Sequence, residues 1–172
     1  FRTDTAQSAH GWSPADFRDL PPDALEALCS LIRSILEHAC LPASELMVVI
    51  DFLGKASGGE RPIGLLGALT RIAMELLRPG TTRWQEDNSA FWDVAVRGSR
   101  EPRAALKRNL TCEVGRQIGQ TTALVVWGVE KFYDSINMVE VCELGVRANF
   151  DVVVLALAAQ LHTAPRVLQA QE

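Results

Sequence analysis

The feature that most constrains this chain is a glycine pair set between two short apolar stretches. Residues 47–53 and 61–66 are apolar and partly β-branched, which is typical of strands. Gly58 and Gly59 lie in the polar loop between them, and glycines supply the backbone angles that hairpin turns require. Pro62 donates no ladder hydrogen bond, so it suits an edge strand or the start of a strand. The sequence therefore predicts an antiparallel hairpin of exposed character.

A helix is predicted before this hairpin. Pro21 and Pro22 prevent it from extending upstream, and Asp23 can cap its first turn. Pro42 closes it. One face carries apolar residues at helical spacing, namely Leu25, Leu28, Ile32, Ile35 and Leu36.

Further helices and one strand are predicted after the hairpin. The first helix covers residues 67–78 and should stop at Pro79 and Gly80, with residues 81–100 irregular. The remaining elements are helices over residues 102–118, 139–148 and 152–161 and a buried strand over residues 121–127. This order of helix, hairpin, helix, helix, strand, helix and helix indicates an α+β fold and not a βαβ repeat.

The charge of the chain is unevenly distributed. The net charge of −4 argues weakly against non-specific nucleic-acid binding. Residues 51–116, however, hold 11 basic and 8 acidic side chains, between two acidic flanks. This basic region can contact phosphates, or it can form a solvated helix face. Its densest part contains Arg97, Arg100, Arg103, Lys107 and Arg108.

Several classes of protein are disfavoured by composition. The four cysteines form no C-x-x-C pair, so neither a zinc site nor a disulfide framework is indicated, and buried free thiols in a reducing compartment are expected. The longest apolar run, residues 152–161, is about half the length of a membrane span, so no membrane contact is expected. No signal peptide is visible, and Phe1 suggests a start within a longer protein. An intracellular location, nuclear or cytoplasmic, is expected.

Two stretches carry residues of chemical interest. In LGKASGGERPIGLL, Lys55 and Arg61 lie on either side of the glycine pair, so a hairpin brings both cations to its tip. Two cations at such a tip suit a polyphosphate, although charged hairpin tips are common. In GVEKFYDSI, residues 128–136, acidic and aromatic residues end a strand, which can hold a metal on one face and a sugar on another.

With both stretches in this order, the chain resembles reverse transcriptases of the retroelement and group II intron-like type. The family's fingers hairpin has the form K-x-x-G-G-x-R-P-I, and its palm strand has the form D-[hydrophobic]-E-K-[AF]-[FY]-D-S-I. Residues 129–136 match this palm-strand pattern at the positions after its first. The upstream stretch from residue 11 is also similar to the family. The hairpin form is matched by Lys55, Gly58, Gly59, Arg61, Pro62 and Ile63.

The resemblance implies a partial right-hand polymerase fold that spans residues 1–172. About residues 11–120 would be fingers-like, and residues 121–172 would begin the palm. The likeness itself covers about residues 11–166. The implied activity is RNA-directed DNA polymerisation, with an RNA template, a DNA primer and a dNTP as partners and Mg²⁺ as the cofactor of the family.

The resemblance also assigns roles to individual residues. Lys55 and Arg61 match residues that hold the triphosphate of the incoming nucleotide. Tyr133 matches the aromatic gate beneath the sugar, which excludes a ribose 2′-hydroxyl by its bulk. Val129 matches the position whose main-chain carbonyl helps to hold the second metal. The basic residues from Arg97 to Arg108 match, loosely, a region near the template path.

Gly128 departs from the family at the most important position, where the first catalytic aspartate is expected. Two-metal phosphoryl transfer needs carboxylates to collect the Mg²⁺ ions, and glycine offers none. The family's aromatic-x-Asp-Asp hairpin is also missing, because the sequence contains no Asp-Asp pair. Asp134 lies six residues further on, about 20 Å away along a regular strand. We therefore expect an inactive polymerase fragment with no intact catalytic residue and no bound metal.

Two other functions stay open at the level of sequence. The first is a domesticated, non-catalytic nucleic-acid-binding module that kept the fingers. The second is an unrelated α+β interaction domain whose motifs match the family by chance.

Overall fold

The computed structural model describes residues 10–12, 14–56, 58–89, 101–123 and 135–168. Within these ranges the chain forms six α-helices, one 3₁₀ turn and a three-stranded sheet, which confirms the predicted α+β class. The structure divides into two compact units. The first unit contains residues 1–81 and 137–172, and the second contains residues 82–136.

The predicted hairpin is present. Strand β1 (Val48–Gly54) pairs antiparallel with strand β2 (Glu60–Leu65), and Leu53 lies opposite Arg61 in the register. β2 is an edge strand, because the order in the sheet is β2-β1-β3. Pro62 therefore sits where its missing N–H costs no hydrogen bond within the sheet, as predicted.

Strand β3 (Arg166–Leu168) was not predicted. It runs parallel to β1, with Val48 opposite Arg166, and the Val48 N–H donates to the Pro165 carbonyl at 3.0 Å. Three residues are too few to establish an alternating apolar pattern. The sheet therefore gains its third strand from the far end of the chain, which no local pattern indicates.

The hydrophobic core of the first unit lies between helices α2 (Pro22–His38), α3 (Ala68–Asn88) and α6 (Val152–Thr163). On the predicted apolar face of α2, Ile32 and Ile35 are buried, whereas Leu25 near the start of the helix is exposed. The proposed Asp23 cap is wrong: α2 begins at Pro22, and the preceding Pro21 offers no capping side chain. The centre of this core consists of Ile35, Leu41, Ala73 and Leu157.

Helix α3 does not stop at the predicted Pro79-Gly80 pair. It continues to Asn88, so the expectation of irregular structure was wrong for residues 81–88. Pro79 removes the N–H that would donate to the Glu75 carbonyl, and Glu75, Pro79 and Gly80 are all exposed, so the interruption lies on the solvent side of the helix. The Thr81 hydroxyl donates to the Arg78 carbonyl at 3.0 Å and supports the same turn. Residues 90–100 lie outside the described part of the chain.

The other predicted helices are present within two residues of their expected bounds. They are α4 (Glu101–Gln117), α5 (Met138–Arg147) and α6. The side chain of Asn137 accepts the Val139 N–H at 3.1 Å, and that of Asp151 accepts the Val153 N–H at 2.8 Å, so both helices of the last pair are capped. A short helix α1 (Pro14–Arg18) and a 3₁₀ turn (Ala43–Leu46) were not predicted.

Two further expectations are corrected. Residues 121–123 are exposed and belong to no strand, so the predicted strand over residues 121–127 does not begin there, and its remainder lies outside the described residues. All four cysteines are free, as expected, but none is buried: Cys29 and Cys40 are exposed, and Cys112 and Cys142 are half-buried.

Candidate nucleotide-binding site

The tip of the β1–β2 hairpin is closed by two backbone hydrogen bonds. The Lys55 N–H donates to the Gly59 carbonyl at 2.9 Å, and the Gly58 N–H donates to the Lys55 carbonyl at 3.0 Å. Gly58 and Gly59 adopt φ angles of 86° and 79°, which side chains of L residues rarely accept. The glycine pair thus fixes a tight turn and places Lys55 at its first corner.

Lys55 and Arg61 line the same open cleft at this tip. Its volume is about 470 Å³, and its apolar floor comes from Leu53 and Ile63. The register accounts for this arrangement, since Arg61 lies directly opposite Leu53 and side chains alternate between the faces of a strand. The spacing of the motif therefore brings the two predicted cations to one face.

Both side chains are available to an anionic ligand. Lys55 and Arg61 are exposed, and neither side chain forms a hydrogen bond or ion pair with a described residue. An ammonium supplies a compact charge, and a guanidinium supplies a planar fork of donors that matches phosphate oxygens. The arrangement can hold two phosphate groups of one ligand, with the cleft floor beneath them.

The palm residues of the predicted site lie outside the described residues. These are Gly128, Val129 and Tyr133, and Arg97 and Arg100 of the basic region also lie outside. The geometry of the sugar gate and of the metal position thus stays a prediction.

The described part of the basic region lies on helix α4, in the second unit. Arg103, Lys107 and Arg108 are all exposed. Arg103 and Lys107 line a groove together with an exposed apolar row that repeats every four residues, Leu106, Leu110, Val114 and Ile118. Both predicted alternatives, a phosphate contact and a solvated helix face, stay open for this helix, because its basic side chains are exposed.

Sequence reasoning missed a buried carboxylate at the start of α3. Glu45 is 3% exposed, and its Oε2 accepts hydrogen bonds from the Thr70 N–H at 2.9 Å and the Thr70 hydroxyl at 2.8 Å. Glu45 thereby caps α3 from a distant segment, because Gly67 before the helix has no side chain. A Cβ at Gly67 would overlap this carboxylate. The one available sequence signal for this cap was a glycine just before a helix. That glycine does not identify Glu45 as the residue that caps the helix.

Comparison with known proteins returns no match to a family model, a curated protein or a solved structure. In the described ranges, no group of three or more His, Cys, Asp or Glu side chains is placed to hold a metal ion. No helix among those ranges is long and apolar enough to cross a membrane.

Proposed function

We propose that the chain is a fragment of an RNA-directed DNA polymerase of the reverse transcriptase family, with a triphosphate-binding fingers hairpin and no polymerase activity of its own. The proposal rests on the two sequence motifs and on the hairpin geometry. Its ligand is a deoxynucleoside triphosphate, and its polymer partners are an RNA template and a DNA primer.

The observation that carries the proposal is the shared cleft of Lys55 and Arg61. A lysine before a Gly-Gly turn and an arginine after it are expected at many charged loops. Here the register places Arg61 opposite Leu53, and the two cations border one cleft without an acidic partner among the described residues. That arrangement suits a polyphosphate better than it suits a solvated surface loop, in which the two charges would point apart.

The residues at the proposed catalytic position do not fit a two-metal centre. Gly128 brings no carboxylate, and the sequence contains no Asp-Asp pair to complete the site. Magnesium in such centres is bound through carboxylates and substrate phosphates. We therefore assign no metal-dependent step to this chain, and its proposed role is limited to binding.

Primer extension tests the absence of polymerase activity. We expect the 172-residue chain, purified free of host polymerases, to extend no primer on an RNA template with either Mg²⁺ or Mn²⁺. Gly128→Asp is expected to give no rescue, because one restored carboxylate does not gather two ions. In a longer protein that includes an Asp-Asp hairpin, the same substitution should restore extension, and Tyr133→Ala should then admit ribonucleotides more readily. Incorporation by the 172-residue chain that persists in Asp134→Ala would contradict this account.

A second candidate function is a non-catalytic nucleic-acid-binding module. The groove on α4 favours it, because Arg103 and Lys107 stand beside an exposed apolar row. Basic side chains can neutralise phosphates while apolar side chains contact unstacked bases. This candidate needs α4 and not the hairpin, whereas the first proposal needs the hairpin to bind the nucleotide.

The variant Arg103→Glu, Lys107→Glu, Arg108→Glu tests the α4 surface. We expect it to lose binding to single-stranded RNA at low salt. The slope of log affinity against log salt for the parent should exceed that of the variant by about 2, because each phosphate contact contributes about 0.7 for single strands. A control with the same charge change at Arg18, Arg78 and Arg147, all exposed, should bind nearly as the parent does. Equal loss in both variants would mean that net charge, and not this surface, governs binding.

A further inference from the structure

A second cavity lies in the first unit, away from the hairpin. Its volume is about 500 Å³, which is within the range of small-molecule sites. The walls are mainly apolar and include Leu28 and Leu31 of α2 and Leu69 of α3. Trp12 and Phe17 also line it, and their rings stack with centroids 5.3 Å apart. The cavity therefore combines aliphatic walls with an aromatic pair.

One charged group projects into these apolar surroundings, the carboxylate of Glu45. Its Oε2 is fully engaged by the two donors of Thr70. Its Oε1 receives no hydrogen bond from a described residue, and the Nε2 of the His10 ring lies 4.0 Å from it. That same Nε2 already contacts the Ser44 carbonyl. Glu45 thus retains one acceptor oxygen to which no described residue donates, on the wall of the cavity.

A donor brought to a carboxylate oxygen on the wall of an apolar cavity is favourable, because charge-assisted hydrogen bonds are the strong ones and are stronger in apolar surroundings. A ligand that brings a cationic donor to Oε1 would supply both a hydrogen bond and a compensating charge. A ligand with an apolar body would also bury surface against the walls of the cavity. A ligand with a neutral donor would supply the hydrogen bond but not the compensating charge, and an anion would supply neither.

We propose that this cavity binds a small primary ammonium compound with an aromatic body. The ammonium group donates to Oε1 of Glu45, and the aromatic ring occupies the space bordered by Trp12, Phe17 and Leu28. The inference is independent of the proposed polymerase ancestry, since it uses no residue of the hairpin or of α4.

A series of three probes with similar apolar bodies tests the chemistry. The probes are 2-phenylethylammonium, 2-phenylethanol and 3-phenylpropionate, titrated against the 172-residue chain by calorimetry or by NMR. We expect the ammonium to bind at least about tenfold more tightly than the alcohol, since hydrogen bonds to charged groups are the stronger ones, and we expect no binding of the carboxylate. Equal binding of the alcohol, binding of the carboxylate, or no binding of the ammonium would overturn the proposal.

Two leucines of α2 supply a matched pair of variants for the location of the site. Leu28→Trp fills the cavity and should weaken ammonium binding at least about tenfold. Leu25→Trp makes the same change three residues away on an exposed position that does not line the cavity, and it should bind as the parent does. Equal affinity in the two variants would overturn the assignment of the cavity.

Glu45→Gln tests the charge. Glutamine keeps an acceptor oxygen for Thr70 and removes the negative charge. We expect ammonium binding to fall at least about tenfold while the affinity for 2-phenylethanol stays unchanged. An unchanged preference for the ammonium in a folded Glu45→Gln protein would overturn the role of Glu45. Should this variant fail to fold, the probe series and the two leucine variants still decide the proposal.

Discussion

The double variant Lys55→Ala, Arg61→Ala is expected to bind a deoxynucleoside triphosphate about 100-fold more weakly than the parent. Each side chain supplies a charge-assisted contact to phosphate, and each such contact is worth about tenfold in affinity at an exposed position. Each single variant should account for about half of the loss in free energy. Calorimetric titration at low and moderate salt measures the effect, and the loss should shrink as salt rises, because exposed charges are screened.

A control pair separates this effect from the change in net charge. Arg18→Ala, Arg147→Ala removes two exposed basic side chains from the same unit without touching the hairpin. We expect its affinity for the nucleotide to stay within about twofold of the parent. The hairpin assignment is refuted by a hairpin variant that binds as well as this control does.

Leu157→Ala is expected to lower the free energy of unfolding by about 2–5 kcal/mol. Leu157 is 0% exposed and lies at the centre of the core with Ile35, Leu41 and Ala73. Removal of its branched end loses buried apolar surface and leaves a cavity that the surrounding helices fill only in part. Urea unfolding followed by circular dichroism gives the measurement.

Leu144→Ala is the matched control for this variant. Leu144 is 61% exposed on α5, so the same chemical change should alter the free energy of unfolding by about 0.5 kcal/mol or less. Similar destabilisation in the two variants would mean that α6 does not pack into the core as described.

The hairpin was predictable because its information is local. β-branched residues, a glycine pair and an edge proline all occur within residues 47–66, and each constrains the backbone directly. Helix α3 was mispredicted because its local signal was misleading. The Pro79-Gly80 pair is a strong local stop, yet the helix continues past it, with both residues exposed.

Only the hairpin part of the candidate site could be predicted from the sequence. The spacing of Lys55 and Arg61 around the turn determines that they share a face, so the motif alone leads to their cleft. The Glu45 carboxylate follows from no local pattern, because its partner Thr70 lies 25 residues away and the cavity beside it is built from several helices. Contacts of this kind depend on tertiary packing, which a single sequence does not reveal.

The most direct test of the proposed function is an NMR titration of the ¹⁵N-labelled chain with a deoxynucleoside triphosphate. We predict chemical-shift changes at the backbone amides of Gly54, Lys55, Gly59 and Arg61, and partial reversal of those changes by inorganic tripolyphosphate, because the triphosphate is the part that the hairpin contacts. Shift changes confined to α4, or the absence of any change at the hairpin at millimolar nucleotide, would contradict the account.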